Sequence, residues 1–144
     1  MESNQSKITA TWQGEMAFIG EDEAGGRTQM GLLNGEPGIK PMALVLVALA
    51  GCTGVDVVNI LKKKRVNFSD LKIEVSATRA DTHPKVYTDI QVTYLIWGEN
   101  IKSKDVEQAI ELSESNYCSV SAMLRSTAEI HTEYRILAPG ESVL

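Results

Sequence analysis

The stretch MALVLVALAGCTGVDVVNILKKK, residues 42–64, constrains this chain more than any other. It is nearly continuous apolar sequence following Pro41, a residue suited to a first helical turn because its missing N–H costs nothing there. The pattern predicts a helix from Pro41 to about Arg65, apolar almost all round in its first half. Such a helix needs other elements on several sides. Before its first charge, Asp56, the run covers only residues 42–55, short of the about 20 residues that span a bilayer. The reading is therefore a buried helix, with no membrane partner. One small sheet covers one side of such a helix, so a second copy of the chain is expected to enclose the rest, as a homodimer.

The remaining segments read as strands and shorter helices. KITATWQG alternates Ile8, Ala10 and Trp12 with polar residues at period two, and EMAFIGED and RTQMGLLNG follow it as a three-stranded meander. Glu21 to Gly26 supply the turn between the last two, and NGEPGIKP reads as a Gly/Pro-rich loop feeding the helix. Beyond the helix, LKIEVSATRAD alternates Leu71, Ile73, Val75 and Ala77 against polar residues, and VYTDIQVTYLIWGEN pairs with it as a hairpin. SKDVEQAIELSESNYC predicts a helix with Ser103 as N-cap and Val106, Ile110 and Leu112 as its apolar stripe. SVSAMLRSTA reads as a second short helix, and EIHTEYRIL as a closing strand. This order is α+β rather than a regular βαβ alternation. With 144 residues and no repeat or linker, the expectation is one domain over 1–144.

Charge and motif content narrow the function. A net charge of −5 argues against nucleic acid as a partner, since phosphate contacts want a basic face. The basic cluster Lys62–Arg65 lies where it complements a helix C-terminus. The N-terminal segment lacks an apolar signal-peptide core, and two cysteines far apart suggest thiols in a reducing compartment, so the expected location is the cytoplasm. His83 and His131 form no metal-ligand spacing with Cys52 and Cys118, and no nucleotide-binding glycine motif occurs, so no metal or other cofactor is expected.

Cys52, deep in the apolar helix, reads either as a small buried hydrophobe or as a protected reactive thiol. Asp56, four residues on, reads as a polar helix contact rather than a base; ionised and near, it would raise the Cys52 pKa. Cys118, in ESNYCSVSAML, precedes a helix, where a thiol is either a packed free cysteine or one with a lowered pKa.

Three of these segments carry a resemblance. KPMALVLVALAGCTGVDVVNILKKK resembles the central helix of the OsmC and organic hydroperoxide resistance family, in which a proline-led apolar segment runs into a cysteine. SESNYCSVSAML resembles its second motif, a cysteine followed by a small residue and a helix start, and TATWQG resembles its first strand. The likeness covers nearly the whole chain in order and falls nearest the OsmC-like branch. It implies an OsmC-like fold, as an intertwined homodimer whose two long central helices are wrapped by sheets from both chains. It also implies a thiol-dependent peroxidase with Cys52 and Cys118 as the catalytic pair. Cys52 would attack an organic hydroperoxide and become a sulfenic acid; Cys118 would condense with it to a disulfide, later reduced by a cellular dithiol.

Peroxidases of the family carry a glutamate just after the helix-starting proline and an arginine after the first strand. Here Met42 and Ala43 follow Pro41, and Arg27 is the only arginine before Cys52. A thiol without those partners is less activated, which implies slow peroxide reduction. The second reading, from a different class, is a non-enzymatic dimer that holds a small hydrophobic ligand at its interface, the cysteines merely lining the pocket. A purely structural dimer is the third.

Overall fold

The computed structural model describes residues 4–143. The chain forms two compact units, residues 1–45 and 46–144.

In the first unit, β1 (Ile8–Gly14), β2 (Ala17–Asp22) and β3 (Arg27–Met30) form the expected antiparallel meander in the order β1-β2-β3. The turn between β2 and β3 is held by Asp22, whose Oδ1 accepts from the amides of Ala24 and Gly26 at 3.0 and 2.7 Å. RTQMGLLNG is not one strand, however. Gly31 interrupts it with φ +83°, and the carbonyl oxygen of Met16 lies 2.5 Å from where a Cβ would sit, so only glycine fits. The chain resumes as β4 (Leu32–Leu33), which pairs with β5 (Glu36–Pro37). Asn34 and Gly35 between them both have positive φ, 51° and 79°. That is the conformation of a type I′ hairpin, for which Asn-Gly is the preferred sequence. The expected plain loop is thus a small hairpin, and its Asn-Gly signal was legible.

Next, α1 runs over Pro41–Lys63, close to the expected span. It buries one stripe, Leu49, Thr53, Val57 and Leu61, at the four-residue spacing that lines one face of a helix. The opposite stripe, Ala43, Val47, Gly51 and Val55, is exposed, with Val55 71% accessible. Within one chain, then, the helix is not enclosed on several sides. At 23 residues it is also long and apolar enough to cross a bilayer, the one such helix among the described residues.

In the second unit, β6 (Phe68–Arg79) and β7 (Tyr87–Gly98) form an antiparallel pair, and β8 (Glu129–Leu137) lies parallel to β7, giving the order β6-β7-β8. A parallel neighbour requires a long crossover. Here α2 (Ser103–Leu112), a π-helical turn (Ser113–Tyr117) and α3 (Ser119–Leu124) supply it. The central strand carries the core: Ile90, Val92, Tyr94 and Ile96 alternate on one face, all fully buried. Each such aliphatic side chain contributes roughly 1.5–3 kcal/mol relative to exposure. The partner residues Leu71, Ile73, Val75 and Ala77 lie on the same face, as their alternation predicts. Gly54 lets α1 approach this face closely, since a Cβ there would come within 3.0 Å of Ile73 Cδ1. On the other face Leu95, Trp97 and Leu137 form a smaller cluster against Val143.

Two details of α2 differ from expectation. Its N-cap is Lys102, which makes no side-chain cap, and Ser103 is the first helical residue. Its buried stripe is Val106, Ala109 and Ile110, while Leu112 is 36% exposed. Leu112 is the last residue of the helix, where the backbone passes into the wider π-helical turn.

Candidate functional site

The crossover between β7 and β8 determines where the two cysteines meet. It returns over the face of the sheet that α1 covers, and Cys118 comes to lie near Cys52, close enough for the two thiols to influence each other. Both are free thiols. They differ in access: Cys52 is half-buried, whereas Cys118 is 3% exposed.

The π-helical turn is what aims Cys118. Its amide donates to the carbonyl of Ser113 at 2.8 Å, five residues back, and the residue itself is extended, with φ −76° and ψ 101°. Cys118 then caps α3: the amide of Ser121 donates to Sγ at 3.4 Å. A thiol before a helix is open to a lowered pKa, but here the outcome is the reverse. Burial pushes the Cys118 thiol from about 9 up to about 11, helped by neighbouring Cys52 and the negative charge of Glu114; the Ser121 amide opposes this only in part. Cys118 therefore rests as a thiol at neutral pH.

A chain of buried hydroxyls braces the same place. Thr53 Oγ1, one residue after Cys52, lies 2.7 Å from Tyr94 Oη and 2.8 Å from Ser113 Oγ. Ser113 in turn donates to Asp56 Oδ2 at 2.8 Å. Asp56 is thus the helix contact that its sequence position suggests, holding the π-helical turn against α1. Burial raises the Tyr94 hydroxyl to about 12, so it stays protonated and serves as a neutral hydrogen-bonding group.

A second cluster flanks Cys118 on the crossover itself. Glu114 Oε2 accepts from Ser121 Oγ at 2.9 Å and from Arg125 Nη2 at 2.6 Å, while its Oε1 is buried without a hydrogen-bond partner among the described residues. Thr53, Tyr94, Ser113, Glu114, Ser121 and Arg125 escaped the sequence reading. Their association depends on contacts across the fold. Arg27, the only arginine before Cys52, forms an exposed ion pair with Glu21 at 3.0 Å.

Away from the thiols, the parallel pairing of β7 and β8 gathers Asp89, Glu129 and His131, whose ligand atoms lie within 4.8 Å of one another. All three are exposed, and strand pairing rather than sequence spacing unites them.

This fold and this pair of thiols have known relatives. The sequence pattern of the OsmC-like protein family matches residues 33–133, and the chain belongs to that family. Protein YhfA of Escherichia coli strain K12 is 32% identical over 127 residues, covering 88% of this chain and 95% of that protein. Among solved structures, a hypothetical protein from Aquifex aeolicus VF5 is 34% identical with a TM-score of 0.84, over 96% of this chain and 98% of that one. The organic hydroperoxide resistance protein OhrB of Bacillus subtilis shares the fold at 18% identity, with a TM-score of 0.61 over 91% and 98% of the two chains. The α+β, OsmC-like architecture expected from the sequence is the one found.

Proposed function

We propose that this chain is a dimeric OsmC-like thiol redox protein, a single domain in function, that reduces organic hydroperoxides slowly through Cys52 and Cys118. The observation that carries this reading is the proximity of two free thiols that the sequence holds far apart. Cys52 is the attacking residue because it is the accessible one. Its sulfur takes the terminal oxygen of the hydroperoxide, the O–O bond breaks, and an alcohol leaves. The Cys52 sulfenic acid then condenses with the Cys118 thiol, forming the disulfide and releasing water. A dithiol returns both cysteines to thiols by exchange.

The reaction is slow because no cation is shown activating the thiols among the described residues, Arg125 being paired with Glu114, and because Cys118 is held as a thiol. Burial of Cys118 favours the resolving role, shielding it from direct oxidation until Cys52 has reacted. The exposed stripe of α1, together with Ile8, Trp12 and Met16 in the first unit, supports self-association as the way these apolar surfaces leave water. Turnover of cumene hydroperoxide in the presence of dithiothreitol tests the reading. Consumption above the protein-free rate, lost in Cys52→Ser, supports it; a rate unchanged by that substitution removes it.

A second reading has one observation behind it. An open cleft of about 480 Å³ in the first unit is lined by Ile8, Ala10, Met30 and Leu44, among others. That lining suits a small hydrophobic ligand, and a ligand recovered from native protein by extraction would favour this reading.

A further inference from the structure

Three strands bring a grid of donor side chains to the face of the sheet opposite α1. Asp89 and Gln91 alternate with the buried core residues Ile90 and Val92, so they point to that other face. Strand pairing sets two rungs side by side there. Thr78, Asp89 and Glu129 stand in register across β6, β7 and β8, and Ser76, Gln91 and His131 form the next rung. All six side chains carry an oxygen or nitrogen donor, and none is a lysine or arginine. Five of them, all but Glu129, line one open cleft of about 280 Å³.

Within the grid, Asp89 and Glu129 are like charges directly opposite each other, an arrangement that costs free energy in a sheet. Among the described residues neither pairs with a lysine or arginine. Asp89 Oδ2 accepts from Thr88 Oγ1 at 3.2 Å, and Glu129 Oε2 meets His131 Nε2 at 3.5 Å. The ligand atoms of Asp89, Glu129 and His131 all lie within 4.8 Å of one another. An ion with bonds of about 2.1 Å holds tetrahedral donors about 3.4 Å apart. The His131–Glu129 distance already has that value, and exposed side chains close the remaining difference by small torsional changes.

We infer that Asp89, Glu129 and His131 bind a divalent transition-metal ion of the zinc class, with water completing its coordination. The donor set selects the class. An imidazole nitrogen suits zinc and its neighbours, whereas magnesium and calcium take oxygen donors. The two carboxylates neutralise the ion, and the ion removes the repulsion between them. Ser76, Thr78 and Gln91 line the space that the bound waters fill. In that position the ion ties Glu129, the first residue of β8, to β7 and fixes the point where the crossover rejoins the sheet. The thiols lie against the other face, so the ion does not touch them.

Metal titration of the full chain tests this, with the double variant Cys52→Ser/Cys118→Ser run beside wild type because thiolates compete for zinc. The chain has two histidines, His83 and His131, so their ring-proton resonances report separately. Substoichiometric Co²⁺ is expected to broaden the His131 signals and spare those of His83 in both proteins. That measurement needs no ligand substitution, so it stands even where a variant fails to fold. Calorimetric titration of the double variant with Zn²⁺ is expected to show one site, weakened about tenfold or more by adding His131→Ala or Asp89→Asn. Zn²⁺ at about a hundred times its Kd should raise the Tm by several degrees, and not where His131→Ala is present. Co²⁺ that broadens both histidines alike, or neither, overturns the inference, as does a Zn²⁺ affinity unchanged by His131→Ala. Zn²⁺ held by wild type but not by the double variant would place the ion on the thiols and equally overturn it.

Discussion

Thr53 Oγ1 lies 2.7 Å from Tyr94 Oη, joining the core helix to the central strand at a point where both residues are fully buried. The same oxygen meets Ser113, so one hydroxyl ties together the helix that carries Cys52, the strand beneath it and the turn that aims Cys118. Thr53→Val keeps the shape and removes the hydroxyl, leaving Tyr94 unpaired in the core. The expected cost is about 1–3 kcal/mol, the penalty for an unsatisfied buried group. Chemical denaturation of the reduced protein measures it, and Thr53→Ser should recover most of the loss.

Alkaline pH should weaken the fold through two groups. Tyr94 rises from 10.0 to about 12 and Cys118 from 9.0 to about 11, both chiefly by burial. In each case the unfolded chain loses its proton first, so stability is full below about pH 9 and falls as pH climbs toward 12. The expected loss is on the order of 2 kcal/mol for each group. Urea unfolding as a function of pH would show the slope, and Tyr94→Phe and Cys118→Ser should each flatten their share of it.

Val55 sits on the uncovered stripe of α1 at 71% exposure. If that stripe is the seam between two copies, Val55→Glu places a charge in an apolar interface and should convert dimer to monomer. Sedimentation equilibrium decides this: a variant that sediments with the mass of the parent places the seam elsewhere.

Much of the fold was legible because it is built from local periodicity. The alternation of Leu71, Ile73, Val75 and Ala77 and the apolar run after Pro41 each announce an element, and each is present. Gly31 breaks the expected strand because its role lies in a positive φ angle, which its apolar neighbours hide, whereas Asn34–Gly35 carries a hairpin signal that the expected plain loop passes over. Cys52 and Cys118 could be picked out by resemblance, but their adjacency depends on a crossover that no spacing encodes. The polar frame was invisible for the same reason. Thr53 and Tyr94 are joined across the fold, and neither looks unusual in its own segment. Of the two readings of Cys118, the packed free thiol is the one found, because burial outweighs the start of a six-residue helix.

The most direct test is the intact mass of the reduced protein before and after one equivalent of cumene hydroperoxide, with free thiols counted in parallel. The account predicts loss of both thiols and of two hydrogens from the mass, with Cys118→Ser instead gaining one oxygen on Cys52. Two intact thiols and an unchanged mass under excess hydroperoxide would contradict it.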